Sequence, residues 1–274
     1  MDNGFKSEVK VICCDIDGTL VRTDKTLSEE NIKWIHKAVT EKGIHFTLVS
    51  GRPSNGILPF YEKMNITGPM SCFNGGTLLD ENGVIVDDHR MPKDMALRLI
   101  DINDEVHTDM VIFDGMTWCL ETRDCYAYRQ KLKIYRSDCL VGNFRELLKG
   151  FDTNKCIYIS PDSTQIDKVE KLILERFDLS TITYFRADDY LEVMVSGYDK
   201  GTAIEALSKV YNVPTSQIMA LGDADNDIAM LKVAGYSVAM ANASKGAKKV
   251  ARYITDTNNN DGVAKAIQKY VFGL

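Results

Sequence analysis

The feature that most constrains the fold is the alternation of short apolar runs with amphipathic segments near both ends of the chain. In the first third, apolar runs of strand length at 9–14, 44–49 and 70–73 are separated by helical patterns. Strands joined by helices pair in parallel, with right-handed crossovers. The last third continues the alternation, with predicted strands at 191–195, 218–221, 237–240 and 253–254. We therefore predict an α/β fold in which both thirds share one parallel sheet.

The first predicted helix has boundary signals at both ends. Ser28 is a suitable N-cap residue, and Gly43 is suited to end the helix. The predicted buried face of this helix consists of Ile32, Ile35 and Val39.

The middle of the chain mixes strand-like and helical patterns. The strand-like runs lie at 110–113, 118–121, 155–160 and 183–185, and the helical patterns at 94–106, 126–132 and 164–177. We predict that residues 84–188 form an inserted α+β domain. Residues 1–83 and 189–274 then form the core domain that it interrupts.

Composition narrows the class of protein. The 274 residues, 45% hydrophobic and 26% charged, suit one large core or two modest ones. The net charge is −6 without a long basic stretch, which argues against a nucleic-acid partner. No apolar run could span a bilayer, and residues 1–10 lack the apolar stretch of a signal peptide. The seven cysteines form no C-x-x-C pair, so we expect a reducing, cytoplasmic location without membrane partners.

The hexapeptide Asp15-Ile16-Asp17-Gly18-Thr19-Leu20 directly follows the first predicted strand. In α/β sheets, ligands bind at the carboxyl ends of the strands. Two carboxylates there can hold a divalent cation and still leave one oxygen free to attack a substrate. Asp and Gly also form ordinary turns, so this motif alone leaves both interpretations open.

Two further polar motifs occupy comparable positions. Ser50-Gly51-Arg52-Pro53 follows the second predicted strand, where a hydroxyl and backbone N–H groups suit phosphoryl oxygens. Taken alone, this motif is better explained as a plain Ser-Gly turn before a helix. Asp199-Lys200-Gly201-Thr202 begins a predicted helix, with Asp199 as its N-cap. Lys200 could be a solvated surface lysine, and a functional role requires its ammonium to point inward.

The fourth motif, Gly222-Asp223-Ala224-Asp225-Asn226-Asp227, follows the predicted strand at 218–221. Its acids repel each other unless a cation or solvent relieves them. A helix–loop–helix calcium site would need Gly at the sixth position and Glu at the twelfth, where Ile228 and Ala234 stand. A magnesium site that shares ligands with Asp15 fits better.

Together these motifs resemble those of the haloacid dehalogenase-like phosphatase superfamily, in its Cof-type branch (subclass IIB). That family's pattern D-x-D-G-T, S/T, K and G-D-x-x-N-D is matched at 15–19, at Ser50, at Lys200 and at 222–227. The segments 74–76, 240–243 and 255–263 also resemble family segments. Ala241, Gly76 and Asp199 depart from the pattern, and none of them removes a catalytic group.

The resemblance implies a Rossmann-like three-layer core with a parallel sheet and an inserted α+β cap that closes over it and selects the substrate. It implies that Asp15 is the nucleophile and that Asp17 is the general acid and base. It also implies Mg²⁺ as cofactor, bound by Asp15, the Asp17 backbone carbonyl, Asp223 and, through water, Asp227. The implied phosphate- and substrate-binding set is Ile16, Ser50, Gly51, Arg52, Asn74, Lys200 and Asn226. Arg52 could equally form a structural ion pair.

By this resemblance the chain is expected to be a phosphoric monoester hydrolase, a Mg²⁺-dependent phosphatase of small phosphorylated metabolites, with sugar phosphates as the favoured class. Two alternatives remain, a phosphohexomutase of similar fold and a non-catalytic sugar-phosphate-binding protein. The intact set of Asp15, Asp17, Lys200 and Asp223 argues against the second, because binding alone needs no nucleophile. The sequence leaves the individual metabolite open, and it is compatible with a monomer or a weak dimer.

Overall fold

The computed structural model describes residues 8–135 and 138–274, so the part of the signal-peptide prediction that concerns residues 1–7 lies outside the described residues. The chain divides into two compact units. The first comprises the described residues up to Gly51, Ile57–Asp87 and Tyr198–Leu274. The second comprises Arg52–Gly56 and Asp88–Gly197.

The elements alternate along most of the chain. The strands among the described residues are β1 (Val11–Cys14), β2 (His45–Val49), β3 (Met70–Cys72), β4 (Thr77–Leu79), β5 (Ile85–Asp88), β6 (Asp109–Asp114), β7 (Thr117–Leu120), β8 (Leu140–Val141), β9 (Cys156–Ile159), β10 (Ile182–Arg186), β11 (Tyr190–Val195), β12 (Ile218–Gly222), β13 (Tyr236–Ala239) and β14 (Tyr253–Ile254). The α-helices are α1 (Glu29–Lys42), α2 (Leu58–Met64), α3 (Lys93–Val106), α4 (Tyr126–Tyr135), α5 (Phe144–Leu147), α6 (Ser163–Arg176), α7 (Lys200–Val210), α8 (Ile228–Val233), α9 (Lys245–Val250) and α10 (Gly262–Ile267).

The first unit is built on an eight-stranded sheet with the order β14-β13-β12-β1-β2-β3-β4-β5. The pairs from β14 to β3 are parallel, and β4 runs antiparallel to β3. Cys14 at the end of β1 lies opposite Leu48 of β2 and Leu221 of β12. The carboxyl ends of these three strands therefore lie at one edge of the sheet, as the strand–helix alternation predicted.

Helix α1 has the predicted boundaries. The Ser28 hydroxyl accepts a hydrogen bond from the Asn31 backbone N–H, and Gly43 ends the helix at φ +64°. Its buried face differs from the prediction, because it consists of Asn31, Trp34, Ile35 and Ala38. Asn31 can be buried because its Nδ2 donates to the Leu20 carbonyl and its Oδ1 accepts from the Ala264 N–H. The predicted positions Ile32 and Val39 are half-buried.

The second unit is built on a six-stranded sheet with the order β10-β11-β9-β6-β7-β8. Its pairs are antiparallel except β7 with β8. Its core is a cluster of buried apolar side chains from this sheet and from helices α3 and α6, including Ile112, Tyr158 and Val193 of the sheet and Leu99 and Ile166 of the helices. The second unit therefore combines strands and helices, as the strand-like and helical patterns in the middle of the sequence indicated.

One organisational prediction is wrong. The predicted strand at 191–195 was expected in the sheet of the core, but β11 pairs with β9 and β10 in the six-stranded sheet. An alternating apolar strand shows which residues are buried, whereas its pairing partner depends on contacts that are distant in sequence. The compact units accordingly change at Asp87/Asp88 and Gly197/Tyr198 rather than at 83/84 and 188/189.

No helix within residues 8–135 and 138–274 is both long and apolar enough to cross a bilayer. The seven cysteines are free thiols, and all but Cys125 are buried. Burial raises the pKa of Cys13 and Cys156, which suits core packing and not nucleophilic chemistry.

Candidate functional site

The structure brings the first and fourth motifs together at the carboxyl edge of the eight-stranded sheet. Asp15 follows β1 directly, and its backbone N–H donates to the Leu221 carbonyl of β12 at 3.0 Å. Asp223 follows β12 directly. Because β1 and β12 are neighbouring parallel strands, the two carboxylates leave the sheet side by side.

Lys200 connects two of the carboxylates in this group. Its Nζ lies 2.6 Å from Oδ1 of Asp15 and 2.6 Å from Oδ1 of Asp227, and its side chain is 1% exposed. The inward orientation that a functional role required is therefore present. Helix α7 begins at Lys200 because the Asp199 carboxylate accepts from the Gly201 and Thr202 N–H groups, as predicted for an N-cap.

The fourth motif is held by its own hydrogen bonds. Oδ2 of Asp227 accepts from the N–H groups of Asp223 and Ala224, at 2.8 and 2.9 Å. Oδ1 of Asp223 accepts from the Thr19 hydroxyl at 2.8 Å. Gly18 lies at φ +88°, and a Cβ there would come within 2.3 Å of Asp223 Oδ2. Glycine at this position therefore lets the first motif approach the fourth.

Asp15, Asp223 and Asp227 form a group of carboxylates that could hold a metal ion. One oxygen from each lies within 4.8 Å of the others. Burial, the largest cause, raises the pKa of Asp15 well above its usual range; Lys200 opposes this, and Asp227 and Asp223 add to it. Burial also raises the pKa of Asp223 to about 6, against the hydrogen bond from Thr19. A divalent cation would relieve this crowding, and an all-oxygen donor set is the one that Mg²⁺ prefers.

The charge of Lys200 is maintained by its partners. Burial by itself lowers the pKa of an ammonium group, but the negative charges of Asp15 and Asp227 outweigh burial and raise the pKa of Lys200. Lys200 is therefore a fixed cation beside Asp15.

Asp17 lies close to a lysine that the sequence analysis did not single out. Lys25 Nζ donates to Oδ1 of Asp17 at 2.9 Å, and the two side chains are 65% and 37% exposed. Lys25 lies in a turn at φ +67° where the Asp24 carboxylate accepts from the Thr26 N–H. In the sequence, Asp24 indicates a turn at this place, but a turn does not determine the direction of the Lys25 side chain. Sequence reasoning therefore could not identify Lys25 as a partner of Asp17.

The second motif lies beside Asn74 and Asn226. Ser50 is 2% exposed, and its carbonyl accepts from the Asn74 N–H at 2.9 Å. Asn226 Nδ2 donates to Oδ1 of Asn74 at 3.0 Å. A Cβ on Gly51 would come within 3.1 Å of that Asn74 oxygen. The structure therefore brings together Ser50, Gly51, Asn74 and Asn226.

Two members of the predicted binding set have different surroundings. Ile16 has a fully buried side chain, and its carbonyl accepts from the Val21 N–H at 3.0 Å. Arg52 belongs to the second compact unit, where its Nη1 donates to the Gly56 carbonyl at 3.3 Å. The Asp15 group and Arg52 thus belong to different units.

Comparisons with known proteins agree with the resemblance in sequence. The profile of the family described as haloacid dehalogenase-like hydrolase matches residues 12–267. The 5-amino-6-(5-phospho-D-ribitylamino)uracil phosphatase YitU of Bacillus subtilis is 27% identical, over 95% of this chain and 97% of that protein. A crystal structure of a haloacid dehalogenase-like hydrolase from Bacteroides thetaiotaomicron is similar with a TM-score of 0.87 and 28% identity, over 95% of this chain and 99% of that one.

A structure from Plasmodium vivax, described as a HAD/COF-like hydrolase, is similar with a TM-score of 0.84 and 30% identity, over 98% of this chain and 97% of that one. The range matched by the family profile includes residues of both compact units and every candidate residue of the site. The chain therefore belongs to the haloacid dehalogenase-like hydrolases, in their Cof-type branch, and is an enzyme of the phosphatase class.

Proposed function

We propose that the protein is a Mg²⁺-dependent phosphatase that hydrolyses small phosphorylated metabolites, with sugar phosphates as the favoured class. The observation that carries this proposal is the buried Lys200 ammonium, 2.6 Å from both Asp15 and Asp227 at the end of β1. A nucleophilic carboxylate that faces an anionic phosphoryl group needs fixed positive charge beside it. Pure binding of a sugar phosphate would not need Asp15 at this position.

Asp15 is the proposed nucleophile. One of its oxygens attacks phosphorus, the bond from phosphorus to the ester oxygen breaks, and an aspartyl-phosphate forms. The departing oxygen takes a proton from Asp17 and leaves as an alcohol. Asp17 then accepts a proton from the water that attacks phosphorus, and inorganic phosphate departs as Asp15 regains its carboxylate.

The proposed metal ligands are Asp15, Asp223, the Asp17 backbone carbonyl and, through water, Asp227. Bound Mg²⁺ supplies charge neutralisation between the nucleophile and the phosphoryl oxygens. The observations that support a cation are the three carboxylate oxygens within 4.8 Å and the raised pKa values of Asp15 and Asp223.

The proposed phosphate-binding groups are the Lys200 ammonium, the Ser50 hydroxyl, the Asn226 amide and the backbone N–H groups of Ile16 and Gly51. Asn74 supports them, because its side chain accepts from Asn226 and its N–H donates to the Ser50 carbonyl. Arg52 remains a proposed substrate contact from the second unit.

The second compact unit is the proposed cap, which selects the substrate and excludes water during formation of the aspartyl-phosphate. The proposed substrates are free small molecules in the cytoplasm. One relative is named for a phosphate ester of a ribityl chain. That compound belongs with hexose phosphates, flavin mononucleotide and pyridoxal phosphate among the candidate substrates.

The proposal is tested by phosphate release from this panel of monoesters, with Mg²⁺ and with EDTA. Asp15→Asn removes the nucleophile without changing side-chain size, so we expect turnover to fall by roughly 1,000-fold or more while substrate still binds. Asp80→Asn is the matched control, because the half-buried Asp80 carboxylate accepts from the backbone N–H groups of Asn82 and Val84 in its own turn.

Metal-dependent release that is lost in Asp15→Asn and kept in Asp80→Asn supports the proposal. Release by Asp15→Asn at the wild-type rate would exclude Asp15 as nucleophile, and release in the presence of excess EDTA would exclude the metal requirement. Conversion of one hexose phosphate to an isomer with a bisphosphate activator, without free phosphate, would instead identify a mutase.

A further inference from the structure

Two segments that resemble family segments have no part in the proposed chemistry. They are 240–243 and 255–263, both in the first compact unit. Each contributes an asparagine side chain to the turn Gly18–Val21, which directly follows Asp17.

Asn242 holds the beginning of this turn. Its Nδ2 donates to the Gly18 carbonyl at 2.8 Å. Its Oδ1 accepts from the Asn258 backbone N–H at 3.0 Å. A single side-chain amide therefore connects the residue after Asp17 to a segment more than two hundred residues away in sequence.

Asn258 holds the end of the same turn. Its side chain is buried, and its Nδ2 donates to the Val21 carbonyl at 2.9 Å. Val21 also forms a parallel bridge with Asp17, and its N–H donates to the Ile16 carbonyl. Because Asn242 and Asn258 are hydrogen-bonded to each other, one connected group fixes the carbonyls on both sides of the turn.

The turn belongs to the loop that connects β1 to α1, residues 15–28, and the outer part of this loop is attached separately. Thr23 exchanges hydrogen bonds with the Asn259 side chain, and Arg22 pairs with Asp261 at 3.0 Å. Removal of the Asn242 amide should therefore loosen the Gly18–Val21 turn without releasing the whole loop. Asn242 is itself exposed, so its truncation leaves no large cavity.

We propose that Asn242 and Asn258 are positioning residues that hold the Gly18–Val21 turn and thereby the direction in which Asp17 presents its carboxyl group. This inference rests on the proposed function, in which Asp17 protonates the leaving alcohol. A general acid must lie within hydrogen-bond distance of the leaving oxygen, and a displacement of about 1 Å can reduce the rate roughly 100-fold. A weakly basic phenolate leaves without a proton, so its departure in the first step does not depend on where Asp17 points, whereas hydrolysis of the aspartyl-phosphate is common to both substrates.

The first test compares two substrates, a hexose monophosphate and p-nitrophenyl phosphate, in the presence of Mg²⁺. With enzyme in excess over substrate, we expect Asn242→Ala and Asn258→Ala to slow release of the hexose roughly tenfold or more, and to change release of p-nitrophenolate less than about twofold, because this single-turnover rate reports the first step alone. Asn260→Ala is the matched control from the same asparagine run, because the Asn260 side chain donates to Asp256 and not to the loop. It should change neither rate.

The second test does not depend on activity. The amides of Leu20 and Val21 donate to the carbonyls of Asp15 and Ile16 within this turn. In Asn242→Ala their hydrogen exchange should accelerate roughly fivefold, the factor that corresponds to one hydrogen bond of ordinary net strength. Exchange within β1 should not change, and neither should exchange in Asn260→Ala.

The outcomes separate this inference from the proposed function. Absence of phosphate release by the wild type would contradict the proposed function, and hydrogen exchange would still decide whether the asparagines hold the turn. Equal loss on both substrates together with a lower melting temperature would assign them a structural role and overturn the inference. Unchanged exchange at Leu20 and Val21 would overturn it as well. Asn242→Ala keeps the test decisive if Asn258→Ala fails to fold.

Discussion

Replacement of Lys200 by methionine keeps an unbranched side chain, shorter by one atom, and removes its charge. In the folded protein this leaves Asp15 and Asp227 without the ammonium that lies 2.6 Å from each of them. The carboxylates of Asp15 and Asp227 are 8% and 0% exposed, so solvent cannot replace it. The variant therefore measures how much this cation stabilises the site in the absence of metal.

The expected magnitude follows from burial. Breaking a buried ion pair by removing one partner costs about 3 to 5 kcal/mol. The lower end applies because Asp227 keeps the N–H groups of Asp223 and Ala224 as donors. We expect the free energy of unfolding to fall by about 3 kcal/mol near pH 8 in the presence of EDTA.

The penalty should depend on pH. Loss of Lys200 raises the folded-state pKa of Asp15 further above its ordinary value of 3.8. A carboxyl group whose folded-state pKa is raised contributes stability that is present below the unfolded-state pKa and is lost as pH rises toward the folded-state pKa. The pKa of Asp15 is already raised in the wild type, so both proteins keep this carboxyl group protonated at low pH, and the penalty should be smaller near pH 5 than near pH 8.

The assay is urea unfolding of the wild type and Lys200→Met at both pH values. Lys25→Met is the matched control, because Lys25 also pairs with a site aspartate but is 65% exposed. An exposed pair contributes about 1 kcal/mol or less. A Lys200→Met penalty below about 1 kcal/mol, or one that is equal at both pH values, would refute the reasoning.

Two further predictions concern the metal and the second unit. Burial raises the pKa of Asp223 to about 6, so at acidic pH the metal-free site binds a proton that Mg²⁺ must displace. Thermal stabilisation by Mg²⁺ should therefore be larger near pH 7.5 than near pH 5. Equal stabilisation at the two pH values would contradict this prediction. Lys155 pairs with Glu192 at 2.9 Å with side chains 2% and 15% exposed, so Lys155→Met should destabilise the protein by about 3 kcal/mol in urea unfolding, and adding Glu192→Leu should recover most of the loss. A double variant as unstable as the single one would show that the loss comes from packing.

Much of the first unit could be predicted because its signals are local. Apolar runs of strand length alternate with helical patterns, and Ser28, Gly43 and Asp199 have the cap roles expected of them. The parallel sheet then follows from the order of elements. Since parallel strands end at one edge, the positions of the motifs along the chain were enough to group Asp15 with Asp223.

Other elements had no usable signal. Strand β8 consists of two residues, and both Leu140 and Val141 are more than 40% exposed. Strand β5 lies at the end of its sheet and exposes Ile85 and Val86. Such short edge strands lack the alternation of buried and exposed residues that identifies a strand. The assignment of β11 failed for a different reason, because its pattern is clear but its partners are set by distant pairing.

The sequence by itself determined the chemical groups of the site and their order along the chain, because motif spacing, caps and apolar periodicity are local properties. The tertiary structure decided which of those groups touch. A lysine at the start of a helix is ordinarily solvated, and Lys200 is buried because α7 places it against Asp15, 185 positions away. The contacts of Lys25 with Asp17 and of Asn242 with Gly18 were decided in the same way. Such contacts depend on strand register and loop path, which no local pattern encodes.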